Sequence, residues 1–141
     1  MNQLSQSTIE ALITKASEAR VHAFAPYSGF LVGSALLSDS GEIFTGCNVE
    51  ISSYSLTCCA ERNALFHAVA CGKKTFVAIA IVAEHEDCPP CGACRQALAD
   101  FNPELTIIQS DVHRTYSLTS LRELFPKPFS LSKKSDGPNS H

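Results

Sequence analysis

Eight apolar residues in an unbroken row, Phe76-Val77-Ala78-Ile79-Ala80-Ile81-Val82-Ala83, place the strongest constraint on what this chain can fold into. A strand with one wet face alternates apolar and polar residues, whereas a strand without a polar face has to be covered on both sides. The flanking segments supply the covers. Residues 8–24 carry Ile9, Leu12, Ile13, Ala16, Ala19 and Ala23 on one helical stripe, with Ser7 or Thr8 to cap it and Pro26 to stop it. Residues 59–71 repeat Ala60, Ala64, Leu65, Ala68 and Val69 at helical spacing and end at Gly72. Phe66, Ala70 and Cys71 lie on the other faces of that helix, so little of it is expected to be exposed. Cys91 opens a third helix through Ala93, Ala97, Leu98 and Phe101, halted by Pro103.

Shorter elements fill the gaps. Leu31–Leu37 and Glu42–Glu50 read as two strands joined by the turn Asp39-Ser40-Gly41, which makes a hairpin. Residues 51–58 are polar and irregular. Leu105–Ile108 and Thr115–Ser117 read as strands, and Thr119–Phe125 as a short helix before Pro126. The order of elements predicts a layered α/β domain. Residues 1–129 are read as one domain, and the Ser, Lys, Pro and Asn content of 130–141 as a frayed tail.

The 141 residues suffice for one domain with a real core. A net charge of −3 weighs against a partner held through phosphates, so no nucleic acid is expected. No apolar run nears the roughly 18 residues of a membrane span, and the first ten residues are polar, so no membrane partner and a cytoplasmic location are expected. In a reducing compartment the seven cysteines are ligands, nucleophiles or small buried hydrophobes rather than disulfide partners.

Two clusters gather most of the chemistry: Cys59-Ala60-Glu61-Arg62 and Pro90-Cys91-Gly92-Ala93-Cys94-Arg95. Three soft thiolates favour zinc, and Cys91 and Cys94 share one side of a helix start, where the dipole favours thiolate over thiol. Three protein ligands leave a fourth position open for water, as in catalytic sites. Cys58, Cys88 and His85 are available to complete a structural site, so spacing alone leaves both readings open. An iron–sulfur cluster on Cys88, Cys91 and Cys94 would need a further Cys at 98 followed by proline, where Leu98 and Ala99 stand. Glu61, two residues from a ligand, is placed to carry a proton, and Arg62 or Arg95 to offset the charge of three thiolates.

Cys59-Ala60-Glu61 with Pro90-Cys91-Gly92-Ala93-Cys94 resembles the zinc-dependent nucleoside deaminases, and the chain over roughly residues 8–129 resembles the short cytidine deaminases. Tyr27-Ser28-Gly29-Phe30-Leu31-Val32-Gly33 and Asn48-Val49-Glu50 are similar to two further family motifs. The resemblance implies a three-layer α/β/α sandwich around a mixed, mostly parallel five-stranded sheet. It implies Zn2+ on Cys59, Cys91 and Cys94, with Glu61 as the proton shuttle while activated water attacks C4 of the pyrimidine, and Arg62 supporting the thiolates. It also implies Phe30 packing on the base, Asn48 and Glu50 on the ribose hydroxyls, and Cys59 and Ala60 positioning the base. Tyr54 and Phe129 match positions that reach a neighbouring subunit's pocket in a homotetramer. The expected function is deamination of cytidine and 2′-deoxycytidine to the uridines, with release of ammonia, in pyrimidine salvage. The alternatives are a blasticidin-type aminopyrimidine deaminase and a non-catalytic structural zinc module. Ile51-Ser52, Ser34 and Ser130-Leu131 depart from the family's usual residues.

Overall fold

The computed structural model describes residues 3–85 and 88–133. Helix α1 (Gln6–Arg20) starts two residues earlier than predicted, because the Ser5 hydroxyl accepts from the Thr8 N–H and so acts as the cap. It also stops sooner, and Phe24 then pairs with Val49 in an isolated parallel bridge. The hairpin forms as expected from β1 (Gly33–Ser38) and β2 (Ile43–Cys47). The irregular stretch contains a short 3-10 turn, Tyr54–Leu56. There follow α2 (Ala60–Ala70), β3 (Phe76–Val82), α3 (Gly92–Ala99), β4 (Thr106–Ser110), β5 (Tyr116–Ser120) and α4 (Leu121–Leu124).

The sheet runs β2-β1-β3-β4-β5, with the unbroken apolar strand β3 at its centre. Ala78, Ala80 and Val82 face α1, where they meet Ile9, Leu12, Ile13 and Ala16. Ile79 and Ile81 face the other way, against Ala64, Leu65, Ala68 and Leu98 of α2 and α3. The three-layer α/β/α arrangement and the mixed five-stranded sheet stand as expected. The sheet is not mostly parallel, however: β3–β4 is the parallel pair, while β1–β2, β1–β3 and β4–β5 are antiparallel. Tight connections impose antiparallel pairing on β1–β2 and β4–β5; the crossovers through α2 and α3 each return the chain in the same direction, but α2 sets β3 beside the antiparallel β1 rather than beside β2, so β3–β4 is the one parallel pair.

Two glycines set how closely the layers approach. A Cβ on Gly33 would lie 2.0 Å from the Ala16 carbonyl oxygen of α1. A Cβ on Gly46 would lie 2.4 Å from the Ala64 nitrogen and 2.5 Å from the Ala60 oxygen of α2. On the α2 face the Ser34 hydroxyl, cross-strand from Gly46, donates to that same Ala60 oxygen at 2.7 Å. The N-terminal turn of α2 is thus pressed onto the hairpin and hydrogen-bonded to it.

The expectation that little of α2 is exposed needs correcting. Its sheet-facing stripe is buried, but Phe66 is 53% exposed, and Ala70 and Cys71 are exposed too. A helix lying on one sheet has one face to bury; the opposite apolar face meets no element of this chain among the described residues.

Gly46→Ala must push α2 off the hairpin by about an ångström, at a cost of about 3 kcal/mol. The expected result is a thermal midpoint lower by roughly 6 °C or more, read by scanning calorimetry. An unchanged midpoint would show that the contact yields freely.

Candidate active site and metal centre

Cys59 and Cys91 occupy equivalent places: each is the last extended residue before a helix, with φ/ψ of −70°/156° and −66°/169°. Neither thiol bonds to its own helix's N–H groups, so both sulfurs remain available to something else. Cys94 sits in the first turn of α3 and is fully buried. The three sulfurs lie within 4.8 Å of one another, and Cys59 Sγ is 3.7 Å from Cys91 Sγ. Unpaired N–H groups and positive dipole ends from two helices therefore face one sulfur cluster, which favours its anionic form.

The Arg62 guanidinium reaches the cluster, with Nη2 3.6 Å from Cys59 Sγ. Its Nε is buried without a hydrogen-bond partner. Arg95 takes another role: its Nη1 donates to the Leu124 carbonyl at 2.9 Å and its guanidinium lies over the Phe125 ring, tying α3 to α4. Of the two arginines considered from sequence, Arg62 is the one beside the sulfurs. Without metal, the Cys94 thiol donates to Cys59 and, helped by Arg62, holds Cys59 well below its ordinary value. The same hydrogen bond, with burial, pushes Cys94 up, so the pair keeps one proton between them. Glu61 is 5% exposed, and burial, with the Cys59 charge adding to it, raises its pKa to about 7.

Glu61 opens onto a cavity of about 250 Å³ whose other walls include Phe30, Val32, Asn48, Glu50, Thr57, Cys59, Ala60, Cys88 and Cys91. One end is therefore sulfur and carboxylate, one wall is an aromatic ring, and the far end is an amide and a second carboxylate. Both ends of Asn48 are engaged: Oδ1 accepts from Val32 N–H and Nδ2 donates to the Phe30 carbonyl, each at 2.8 Å. Glu50 accepts from the Tyr27 and Ser28 N–H groups at 3.0 and 3.1 Å and from the Ser28 hydroxyl. These bonds, that of the Ser28 hydroxyl foremost, hold the Glu50 carboxyl below the usual carboxylate range.

A family described as the cytidine and deoxycytidylate deaminase zinc-binding region matches residues 6–110. A cytidine deaminase of Sporosarcina psychrophila is 44% identical over 124 residues, covering 86% of this chain and 91% of its own. A cytidine deaminase of Halalkalibacterium halodurans is 42% identical over 133 residues, covering 90% and 98%. Among solved structures, a cytidine deaminase from Burkholderia pseudomallei superposes with a TM-score of 0.82 at 44% identity, covering 89% of this chain and all of the other. The chain belongs to the cytidine and deoxycytidylate deaminase family.

The family's metal is zinc, and the donor set of this deaminase fits it. A tetrahedron with metal–sulfur arms of about 2.3 Å has sulfur–sulfur edges of about 3.8 Å, and Cys59 and Cys91 are 3.7 Å apart. Cys58 and Cys88 stand outside the sulfur cluster.

Seven of the residues expected from sequence, Phe30, Asn48, Glu50, Cys59, Ala60, Glu61 and Cys91, line one cavity. Tyr54 lines a neighbouring cavity of about 260 Å³ with Tyr27, Ser28, Glu50 and Thr57. Phe129 lines neither; it is 66% exposed, and its carbonyl accepts from Gln96 Nε2 on α3. Asn48 alone would pass for a solvent residue of a strand, yet it is buried just past the end of β2. Sequence reading missed Val32, Thr57 and Cys88 as wall residues. Val32 and Ser28 were within a motif already recognised, whereas nothing in the sequence around Thr57 marks it.

The raised pKa of Glu61 makes a prediction for the metal-stripped protein. The folded state keeps this proton between the ordinary 4.5 and about 7, where the unfolded chain has lost it. Stability from this group is therefore greatest at low pH and falls by about 3 kcal/mol as pH rises to neutrality. Glu61→Gln removes that penalty, so the stripped variant is expected to melt roughly 5 °C or more above the stripped parent at pH 8. The gap should close toward pH 4.5; a pH-independent gap contradicts the assignment.

Proposed function

We propose that the chain is a zinc-dependent deaminase of free pyrimidine nucleosides, converting cytidine and 2′-deoxycytidine to uridine and 2′-deoxyuridine and releasing ammonia. The observation that carries this reading is the single cavity shared by the sulfur cluster, Glu61, Phe30, Asn48 and Glu50. The relatives named cytidine deaminases support it along nearly their whole length.

Zinc held by Cys59, Cys91 and Cys94 supplies Lewis acidity toward water. The residues of this chain do the rest. Phe30 offers an apolar ring to a base face, while Asn48 and Glu50 offer hydrogen-bonding groups to the sugar hydroxyls. Cys59 and Ala60 place the base edge at the start of α2. Glu61 takes one proton from the attacking water and delivers it to N3 of the pyrimidine, then takes the second from the hydroxyl now on C4 and passes it to the amino nitrogen, so that the C4–N bond breaks, ammonia leaves and a C4 carbonyl remains. Glu61 is placed for both transfers because it is almost wholly buried and lines the cavity beside Cys59. Arg62 offsets thiolate charge, which would otherwise weaken the metal's pull on water.

The sugar end favours nucleosides over phosphorylated substrates: Glu50, Tyr27, Tyr54, Ser28 and Thr57 surround it, and no cation lines either cavity among the described residues. Glu50 also argues against an aminopyrimidine antibiotic, because the carboxylate matches a ribose hydroxyl. Residues 1–129 act as a single catalytic domain. Residues 130–133 lie near α3, where Lys133 Nζ donates to the Asp100 carbonyl at 3.3 Å; residues 134–141, the rest of the expected tail, lie outside the described residues. No helix among the described residues is long and apolar enough to cross a membrane, which accords with action in the cytoplasm.

The enzyme works as a homotetramer in this reading. Phe24, Tyr54, Leu56, Phe66 and Phe129 are all exposed in the single chain, and identical copies would bury them. In that assembly Tyr54 and Phe129 close a neighbour's pocket rather than their own. Phe66→Glu is expected to shift the species seen by light scattering from four chains to fewer; an unaltered tetramer would place the interface elsewhere.

The test of function is an ultraviolet assay with cytidine, deoxycytidine and adenosine, run with and without a zinc chelator. Turnover of the two cytidines that is lost with chelator is expected. Glu61→Ala should retain one zinc per chain and lose turnover by about a thousandfold or more. Metal binding without turnover by the unmodified protein would leave a structural zinc module as the better reading.

A further inference from the structure

The cavity's base wall and sugar end are joined through one hydroxyl. Ser28 Oγ donates to Glu50 and accepts from the Phe30 N–H at 3.0 Å. The turn that presents it is tight: the Gly29 N–H reaches the Ala25 carbonyl at 2.9 Å, and Gly29 has φ of +69°, where a side chain would be strained. On the other side of Phe30, Asn48 holds the Phe30 carbonyl and the Val32 N–H. Phe30 therefore has its N–H fixed by Ser28 and its carbonyl fixed by Asn48.

Glu50 is equally committed. A carboxylate has about four lone-pair sites, and three of them take Tyr27 N–H, Ser28 N–H and Ser28 Oγ. One direction remains for a ligand, and the turn decides which. The Ser28 hydroxyl has spent its proton on Glu50 and a lone pair on Phe30, so its contribution to a substrate passes through these neighbours. Glu50 and Phe30 both line the main cavity, whereas Ser28 lines the adjoining one.

We propose that Ser28 is a positioning residue that aims the Glu50 carboxylate at the sugar and holds Phe30 beneath the base, so that the two ends of a nucleoside are recognised as one unit. This deepens the nucleoside deaminase reading and rests on it. Ser28 makes no contact with the sulfurs or Glu61, so its influence belongs to substrate binding rather than to the chemical step.

The test is a double-mutant cycle in the zinc-loaded enzyme, following KM and kcat for cytidine in wild type, Ser28→Ala, Glu50→Ala and the double variant. Ser28→Ala is expected to raise KM about tenfold, the size of one lost positioning hydrogen bond, with kcat altered less than about twofold. In the Glu50→Ala background the same change should cost less than about twofold, because its main target is gone. Ser28→Thr, which keeps the hydroxyl on an exposed turn, should return KM to within about threefold of wild type. Zinc content and melting midpoint are recorded for each variant, and a Ser28→Ala protein that fails to fold leaves Ser28→Thr and Ser28→Cys as the decisive pair, with Cys expected to raise KM and Thr to spare it. The proposal is overturned by an unchanged KM in the variant lacking the hydroxyl, by costs that multiply independently across the cycle, or by a loss confined to kcat. A wild-type protein that leaves cytidine untouched overturns the parent reading, and this one with it; a working wild type with an indifferent Ser28 overturns this one alone.

Discussion

The N-termini of α2 and α3 converge on one cluster of sulfurs, and each is introduced by a cysteine in extended conformation. Repulsion between two positive dipole ends would disfavour that meeting without negative charge between them. Three sulfurs and a buried carboxyl fill the gap, and Arg62 limits the excess of negative charge. The geometry on either side serves this meeting. Gly46 and Ser34 press the start of α2 onto the hairpin, while Arg95 and Gln96 fasten α3 to the C-terminal segment. Ser34, one of the departures from the family's usual residue, adds a hydrogen bond at the joint that carries Cys59 and Glu61.

Glu61 shows how the site competes with the fold. Its carboxyl lies beside the Cys59 and Cys94 sulfurs with almost no water contact, which costs stability whenever it is ionised. A purely structural helix would place an alanine or leucine there. The same burial that destabilises the charged form raises its pKa to about 7 in the metal-free protein. In the proposed mechanism, stability and catalysis place opposite demands on this one side chain, and the positive charge of a bound metal would ease the conflict.

The layered fold and the ends of the metal-bearing helices were legible in the sequence because both rest on local rules. Phe76–Ala83 demanded cover on two faces, and the cysteines sat where helices begin. Strand direction was less legible. Whether β3 runs parallel or antiparallel to β1 depends on how α2 crosses the sheet, which no short window encodes. The exposure of Phe66 was likewise hidden: apolar residues all round a helix announce burial, but do not say whether the cover comes from the same chain or from another copy. Among the site residues, the sulfurs and Glu61 followed from spacing and chemistry, whereas Phe30, Asn48 and Glu50 became visible only through family resemblance. Their pattern lies in a bridge-linked loop, outside any periodic element.

That loop explains why polar residues of the sugar end are poor guesses from periodicity. Asn48 and Glu50 flank Val49, whose backbone pairs with Phe24 on one side and Cys58 on the other. With Val49 pinned in this way, the side chains at 48 and 50 are held beside the Phe24–Val32 segment, and their hydrogen bonds replace the sheet ladder that the segment lacks. The residues suited to meet a ligand's hydroxyls are therefore the same ones that give the loop its shape. Replacing either one changes two things at once, the ligand contact and the wall behind it. A weakened affinity after such a change cannot be assigned to the lost contact until the loop's own bonds have been removed separately. Ser28 offers that separation, because its hydroxyl is engaged in the loop's own bonds to Glu50 and Phe30.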